Sequence, residues 1–249
     1  MNELDFYQTR ILNGGVFMGS ALIQASGELG GSRHVFVKLQ SSAKGGLVFP
    51  TSGGLLKNPF KGNAKIFAGD LLEYNPGIED GTGATVKVLK TYEVAEAVSA
   101  GTTVKIVRDG FRHIPFVGDF LMVAPSKIAG TGTAVTVTAV EKSTDATAGD
   151  VWVVTTSAAL TASKGDVLVE ASAGTGTVKA MVTNPNCYAP SDADCVYSPA
   201  SDGEFDGARY LYTPCLANAD TILYKSKMSP MPASVLALNT SKVAGWFSL

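Results

Sequence analysis

The chain has 249 residues, 45% of them apolar and 17% charged, with 20 basic and 22 acidic side chains giving a net charge of −2. Such a length holds one large domain or two to three small ones, and the apolar fraction excludes a disordered chain, which combines low hydrophobicity with high charge. No block of Lys or Arg could neutralise a run of phosphates and no basic amphipathic helix is present, so nucleic acid and membrane surfaces are excluded as expected partners.

Residues 1–64 form a Gly-rich first region. Gly14-Gly15, Gly30-Gly31, Gly45-Gly46 and Gly53-Gly54 separate short apolar runs such as Val16-Phe17-Met18 and Val35-Phe36-Val37-Lys38-Leu39. These read as short strands or extended arms broken by turns. The start, Met1-Asn2-Glu3-Leu4-Asp5-Phe6-Tyr7, is acidic with no apolar stretch after it. The expectation is a chain made in a cytoplasm without a secretory signal, and no run reaches the ~20 apolar residues of a membrane span.

Residues 65–180 carry a repeated phrase. Gly69-Asp70-Leu71-Leu72 leads to Gly81-Thr82-Gly83, Gly118-Asp119-Phe120-Leu121 to Gly130-Thr131-Gly132, and Gly165-Asp166-Val167-Leu168 to Gly174-Thr175-Gly176. The Gly-Asp pairs start at 69, 118 and 165, intervals of 49 and 47 residues. Self-similarity at that period means repeated supersecondary units. Val86-Lys87-Val88, Val104-Lys105-Ile106 and Val135-Thr136-Val137-Thr138 alternate with period two, marking half-buried strands. Glycine enters backbone conformations closed to other residues, and aspartate bonds backbone amides in a turn, so each Gly-Asp predicts a sharp entry into a strand. The Gly-Thr-Gly phrases predict loose loops returning the chain. A fourth pair, Gly149-Asp150, lies off the period without such a partner and opens the dense run Val151-Trp152-Val153-Val154, expected to be a buried strand with Trp152 in the core. Glu141 to Thr147 reads as a polar loop, and Ser157-Ala158-Ala159-Leu160-Thr161-Ala162-Ser163 as a short helix. The phrase reads as about two barrel-forming units plus a closing strand pair.

Residues 181–249 are Pro- and Tyr-rich, with Tyr188, Tyr197, Tyr210, Tyr212 and Tyr224 and an apolar end, Gly245-Trp246-Phe247-Ser248-Leu249. This region either packs with residues 1–64 or docks on a neighbouring subunit. Tyr210, Tyr212, Trp246 and Phe247 are the candidate contact residues. Tyrosine serves equally at subunit contacts, with ring buried and hydroxyl wet, and in stacking on sugar rings.

Chemistry-bearing patterns are sparse. Cys187, Cys195 and Cys215 fit no zinc spacing and read as free thiols. Only His34 and His113 could serve a Ser-His or Cys-His pair, and His113, set among Phe111, Ile114 and Phe116, reads as a packed or hydrogen-bonded side chain. The acidic segments Asp192-Ala193-Asp194 and Asp202-Gly203-Glu204-Phe205-Asp206 read as solvated loops ahead of a calcium site, because the twelve-residue ligand order is missing. The expectation is no enzyme, no catalytic residue, no metal and no cofactor. Gly69, Asp70, Gly118, Asp119, Gly165 and Asp166 are assigned to structural turns.

The repeated pair resembles the Gly-Asp box of small cradle-loop and SH3-like barrels. The fold class expected is therefore mainly β: small β-barrel units with Gly-Asp turns, plus a β-rich N- and C-terminal region with extended arms. The whole chain also resembles auxiliary capsid, head-fibre and decoration proteins of tailed bacteriophages, including crAss-like phages of Bacteroidota. That resemblance rests on the arm Arg10-Ile11-Leu12-Asn13-Gly14-Gly15-Val16-Phe17-Met18, on Thr102 to Pro115, and on the Gly-Asp turns. It implies a virion structural protein that binds the major capsid protein or other virion proteins as a homo-oligomer, dimer or trimer. The alternative is a carbohydrate-binding, adhesin-like or tail-associated receptor-binding module with a glycan partner.

Overall fold

The computed structural model describes residues 36–38, 55–58, 60–61, 64–75, 85–189, 192–195, 222–224, 228–236 and 246–247. The fold is mainly β. In chain order the strands are β1 (Phe36–Lys38), β2 (Leu55–Leu56), β3 (Ala64–Ile66), β4 (Leu71–Asn75), β5 (Thr85–Val88), β6 (Thr91–Glu93), β7 (Val98–Val107) and β8 (Phe120–Val123). They continue with β9 (Thr131–Asp145), β10 (Gly149–Ala162), β11 (Val167–Glu170), β12 (Gly176–Lys179), β13 (Cys187–Tyr188), β14 (Ala193–Cys195), β15 (Ile222–Tyr224) and β16 (Trp246–Phe247). Among the described residues a short helix, α1 (Ala233–Leu236), precedes β16.

The largest sheet runs β6-β11-β8-β9-β10-β7, with β12 added on β9. A four-stranded sheet, β13-β4-β5-β2, holds the first Gly-Asp copy, and β14 pairs with β3 beside it. A third sheet, β1-β15-β16, draws strands from both ends of the chain. Among the described residues no sheet closes into a barrel, so the expected small barrels are not seen as closed ladders. The two edges of the largest sheet meet at a single antiparallel bridge, Val94 to Ile106, with Ala95 N–H donating to the Lys105 carbonyl.

Strand alternation decides what is buried. In β5 the Val86 and Val88 side chains point inward while Thr85 and Lys87 stay half-exposed. Val86 and Val88 join Leu56, Phe60, Ile66, Leu72 and Ala189 in one core. The largest sheet folds over a second core built from Tyr92, Val104, Ile106, Leu121, Val135, Val154 and Leu168. A third core spans both sheets, where Leu71 and Leu89 meet Met122 and Val169 and are capped by Met228 and Val235. Each fully buried Val or Leu contributes about 1.5–3 kcal/mol relative to exposure.

Three local expectations are corrected. Residues Ser157 to Ala162 are not a helix but the end of β10, where Leu160 pairs with Gly101 and Ala162 with Val98. Alanine favours helix when nothing else decides, but here the neighbouring β7 takes the backbone and the register shifts between Thr155 and Leu160. Glu141 to Asp145 is not a loop but the distal part of β9, paired residue by residue with Val153 to Gly149 of β10. A strand exposed on both faces carries no apolar alternation to betray it. The loop proper is three residues long, held by Asp145 Oδ1 accepting from Thr147 and Ala148 N–H at 2.8 and 2.9 Å. Gly149 leaves it at φ +75°.

Two of the Gly-Thr-Gly phrases are likewise more than loops. Thr131 opens β9 and Gly176 opens β12, and the two strands pair with each other: Gly176 with Ala134, Thr177 with Thr133, Val178 with Gly132. The third phrase, Gly81-Thr82-Gly83, lies outside the described residues. In the run from Val151 to Val154 the outer two valines are fully buried and the middle two residues half-buried. Trp152 therefore packs at the margin of the core, with the Arg108 guanidinium 5.8 Å from its ring centre.

Candidate functional site

The three Gly-Asp copies build one geometry three times. In each, the glycine has a left-handed φ, +86° at Gly69, +84° at Gly118 and +86° at Gly165. That value suits the third residue of a type II turn and is strained for any residue with a Cβ. The aspartate N–H closes the turn onto the carbonyl three residues earlier: Asp70 on Phe67 and Asp119 on Phe116 at 3.0 Å, Asp166 on Ser163 at 3.1 Å. The carboxylate then takes the N–H of that same first residue, at 2.7, 2.8 and 2.7 Å.

Each turn also clips a distant strand through two backbone bonds. Gly69 N–H donates to the Ala189 carbonyl and Ala189 N–H returns to Asp70; Gly118 and Asp119 do the same with Val137, Gly165 and Asp166 with Val94. Gly69, Asp70, Gly118, Asp119, Gly165 and Asp166 all lie in these turns. The fourth pair differs: Asp150 Oδ1 accepts from the Thr144 hydroxyl at 2.7 Å and lies 3.0 Å from Arg108, with no turn of this kind.

Depth separates the copies. Asp166 is half-buried at the surface. Asp70 is buried, and beyond its turn bond it accepts from Ser229 Oγ at 2.6 Å and faces His113 Nε2 at 2.8 Å. Thr91 N–H donates to His113 Nδ1 at 3.0 Å, so the ring hydrogen sits on Nε2 and is donated to Asp70. The rings of Phe60, Phe67 and Tyr92 enclose the imidazole. Serine, aspartate and histidine are the residue types of a hydrolytic triad, but here the carboxylate stands between the other two. Both imidazole nitrogens are engaged, so neither can take a proton from Ser229, the step on which that chemistry depends.

Asp119 anchors a second buried cluster. Burial pushes its carboxyl above the usual carboxylate range, against the lowering pull of Lys90, the Phe116 amide and Lys61. Burial likewise raises Glu170, against Lys90 and Asn58. Lys90 is buried, with Nζ 3.2 Å from both Glu170 oxygens and 4.5 Å from the centre of the Phe60 ring. The Tyr92 hydroxyl is buried with no hydrogen-bond partner among the described residues, and burial together with Asp119 and Glu170 pushes it well above its ordinary range.

Two asparagines act as strand surrogates. Asn58 Nδ2 donates to the Val88 carbonyl at 2.8 Å and its Oδ1 accepts from Val88 N–H at 2.8 Å, continuing by side chain the ladder that β2 begins on β5. Asn186 does the same to Tyr74, both bonds at 2.9 Å. Near it, Glu73 Oε2 accepts from Thr183 and Asn184 N–H at 2.8 and 2.9 Å. Burial alone would raise Glu73, but these amides and Lys87 outweigh it and hold it below the usual range.

Among the candidate contact residues, Tyr210 and Tyr212 lie outside the described residues. Trp246 and Phe247 form β16, parallel to β15 with Trp246 opposite Leu223 and Phe247 opposite Tyr224. Asp192 Oδ1 accepts from Ala68 N–H at 2.8 Å. Among the described residues no group of three or more His, Cys, Asp or Glu is placed to hold a metal ion, and no helix is long and apolar enough to cross a membrane. The Lys90–Glu170–Asn58 cluster was missed from sequence, its members being scattered along the chain. A charged pair inside otherwise apolar strand ends, Leu89-Lys90-Thr91 and Val169-Glu170-Ala171, is the trace it leaves. Compared with protein-family models, curated proteins and solved structures, the chain matches none.

Proposed function

We propose that the protein is a non-enzymatic structural component of a phage virion, a capsid-associated head-fibre or decoration protein that mediates assembly, stabilisation or surface attachment. The observation that carries this reading is the commitment of all three Gly-Asp pairs to architecture, the carboxylates to turn amides and the backbone to strand clips. Those aspartates serve architecture, and the buried His113 has both nitrogens engaged by structural partners. The β9 strand is long: at ~3.3 Å per residue its 15 residues have a contour of about 50 Å. The distal part of β9, Glu141 to Asp145, is polar and mostly exposed, as suits a surface presented to other subunits. In the same reading the strands β6-β11-β8-β9-β10-β7, with edges joined at Val94 and Ile106, act as one barrel-like unit. The partners are the major capsid protein or other virion proteins, and the chain associates as a dimer or trimer.

Co-sedimentation with purified capsids and particle imaging test this. The expected result is a symmetric oligomer present at fixed stoichiometry in particles. A chain that stays monomeric and never co-sediments overturns the proposal.

A further inference from the structure

Lys90, Glu170 and Asn58 bring an amine, a carboxyl and a carboxamide together in the interior. The Lys90 side chain is 1% exposed and Asn58 is 3% exposed. Lys90 Nζ lies 3.2 Å from both Glu170 oxygens, and Asn58 Nδ2 donates to Glu170 Oε2 at 2.7 Å. One carboxylate oxygen, Oε2, therefore holds the amine and the amide nitrogen side by side. Phe60, whose ring centre is 4.5 Å from Nζ, belongs with Leu56 and Val88 to the buried core here.

The backbone fixes the carboxamide. Val88 N–H donates to Asn58 Oδ1 at 2.8 Å, and Nδ2 also donates to the Val88 carbonyl at 2.8 Å. Asn58 follows β2 and Lys90 follows β5, and the two strands lie parallel on one another, so the ladder itself sets the pair together. A donor on Oδ1 polarises that carbonyl and stabilises the oxyanion formed when its carbon is attacked. A desolvated lysine amine is a nucleophile once it sheds its proton. Burial raises the Glu170 carboxyl, which suits it to receive a proton and pass it on. The Lys87–Glu73 pair lacks this set: Lys87 is 34% exposed, and the amides on Glu73 are those of the Thr183 and Asn184 backbone.

We propose that Lys90 and Asn58 join in an intramolecular isopeptide bond, made by the folded chain itself with Glu170 as the catalytic acid–base group. Glu170 takes a proton from the Lys90 ammonium, and the neutral amine adds to Asn58 Cγ. The Cγ–Nδ2 bond then breaks as Glu170 returns that proton to Nδ2. The second proton shed by Nζ leaves with the ammonia, as ammonium. One amide is exchanged for another with no change in oxidation state, so no external reagent is needed. Fixed proximity supplies the rate that the same groups lack when free in water. The product fastens β2, whose own ladder is two residues long, covalently to the end of β5.

Intact mass spectrometry and peptide mapping of the purified full chain test this. The expected mass lies about 17 Da, one ammonia, below that of the unmodified sequence. Digestion should yield one branched peptide joining Lys90 to Asn58. Glu170→Gln keeps the side-chain shape and should restore the full mass with two separate peptides. The wild-type measurement needs no variant, so the test stands even if Glu170→Gln does not fold. A wild-type chain still at full mass after prolonged incubation at neutral pH overturns the proposal, as does an ammonia loss that maps to other residues. A cross-link undiminished in Glu170→Gln overturns the role given to Glu170.

Discussion

Replacing the three turn aspartates with alanine should separate local turn chemistry from burial. All three carboxylates accept one turn amide at nearly the same distance, so a purely local role would give three equal effects. Asp166→Ala removes one bond near the surface, worth about 1 kcal/mol. Asp119→Ala removes a buried bond but also a carboxylate that burial disfavours, and the two offset each other to about 1–2 kcal/mol. Asp70→Ala strands three donors in the interior, the Phe67 amide, His113 Nε2–H and the Ser229 hydroxyl. At about 1–3 kcal/mol per orphaned group the loss is about 3–9 kcal/mol, a large share of the ~5–15 kcal/mol that holds a typical domain. Urea unfolding of the three variants measures this, and Asp70→Ala should lower the midpoint most by a wide margin. Equal losses, or Asp166→Ala as the worst, would refute the assignment of Asp70 as the junction of three chain segments.

The glycines give a second series. Gly165→Ala meets no atom within 4 Å and carries only the strain of its positive φ, so about 1–2 kcal/mol is expected by thermal unfolding. Gly174→Ala places a methyl 2.3 Å from Thr136 Oγ1 and 2.8 Å from the Phe120 ring, so it should cost about 1–3 kcal/mol through overpacking and loosen the β9–β12 pairing. Asp119→Asn tests the sign of the buried charge. A raised carboxyl contributes stability when protonated and loses it as pH rises through its folded value. The variant should therefore gain most over wild type near neutral pH, with the gain shrinking on acidification; a gain that grows as pH falls contradicts the assignment. Glu73→Gln runs the other way, because a lowered carboxyl stabilises only while ionised. Its deficit should be present at neutral pH and fade in acid, measured by urea unfolding at a series of pH values.

What could be read from sequence followed from how local the determinants are. The turn at Gly118-Asp119 is specified within four residues, by a glycine that accepts φ +84° and a carboxylate that reaches back to Phe116, so its type was legible. The isolated Gly149-Asp150 lacks a partner phrase, and its aspartate faces the Thr144 hydroxyl and Arg108. Ser157 to Ala162 was misread because its pairing with β7 is nonlocal and passes through an irregular register. Glu141 to Asp145 was misread because a two-sided polar strand in a hairpin looks like a loop. The Lys90–Glu170 pair brings together residues from opposite sides of the repeat, a juxtaposition that no spacing rule encodes. Asn58 and Asn186 each spend a side-chain amide imitating a neighbouring strand, on partners 30 and 112 residues away.

The clips made by the Gly-Asp turns bear on how the chain can be divided. Stacked repeats usually touch only their neighbours, so one can be trimmed from an end with little effect on the rest. Here the first turn fastens on Ala189, beyond the last copy of the phrase, and the third reaches back to Val94, between the first and second. The copies are laced through one another like a knot in which each loop holds another shut. A fragment ending at residue 180 would leave the first loop with nothing to hold, and one starting after residue 95 would do the same to the third. Such a chain gains and loses its order together, and long-range closure of this kind slows folding in exchange.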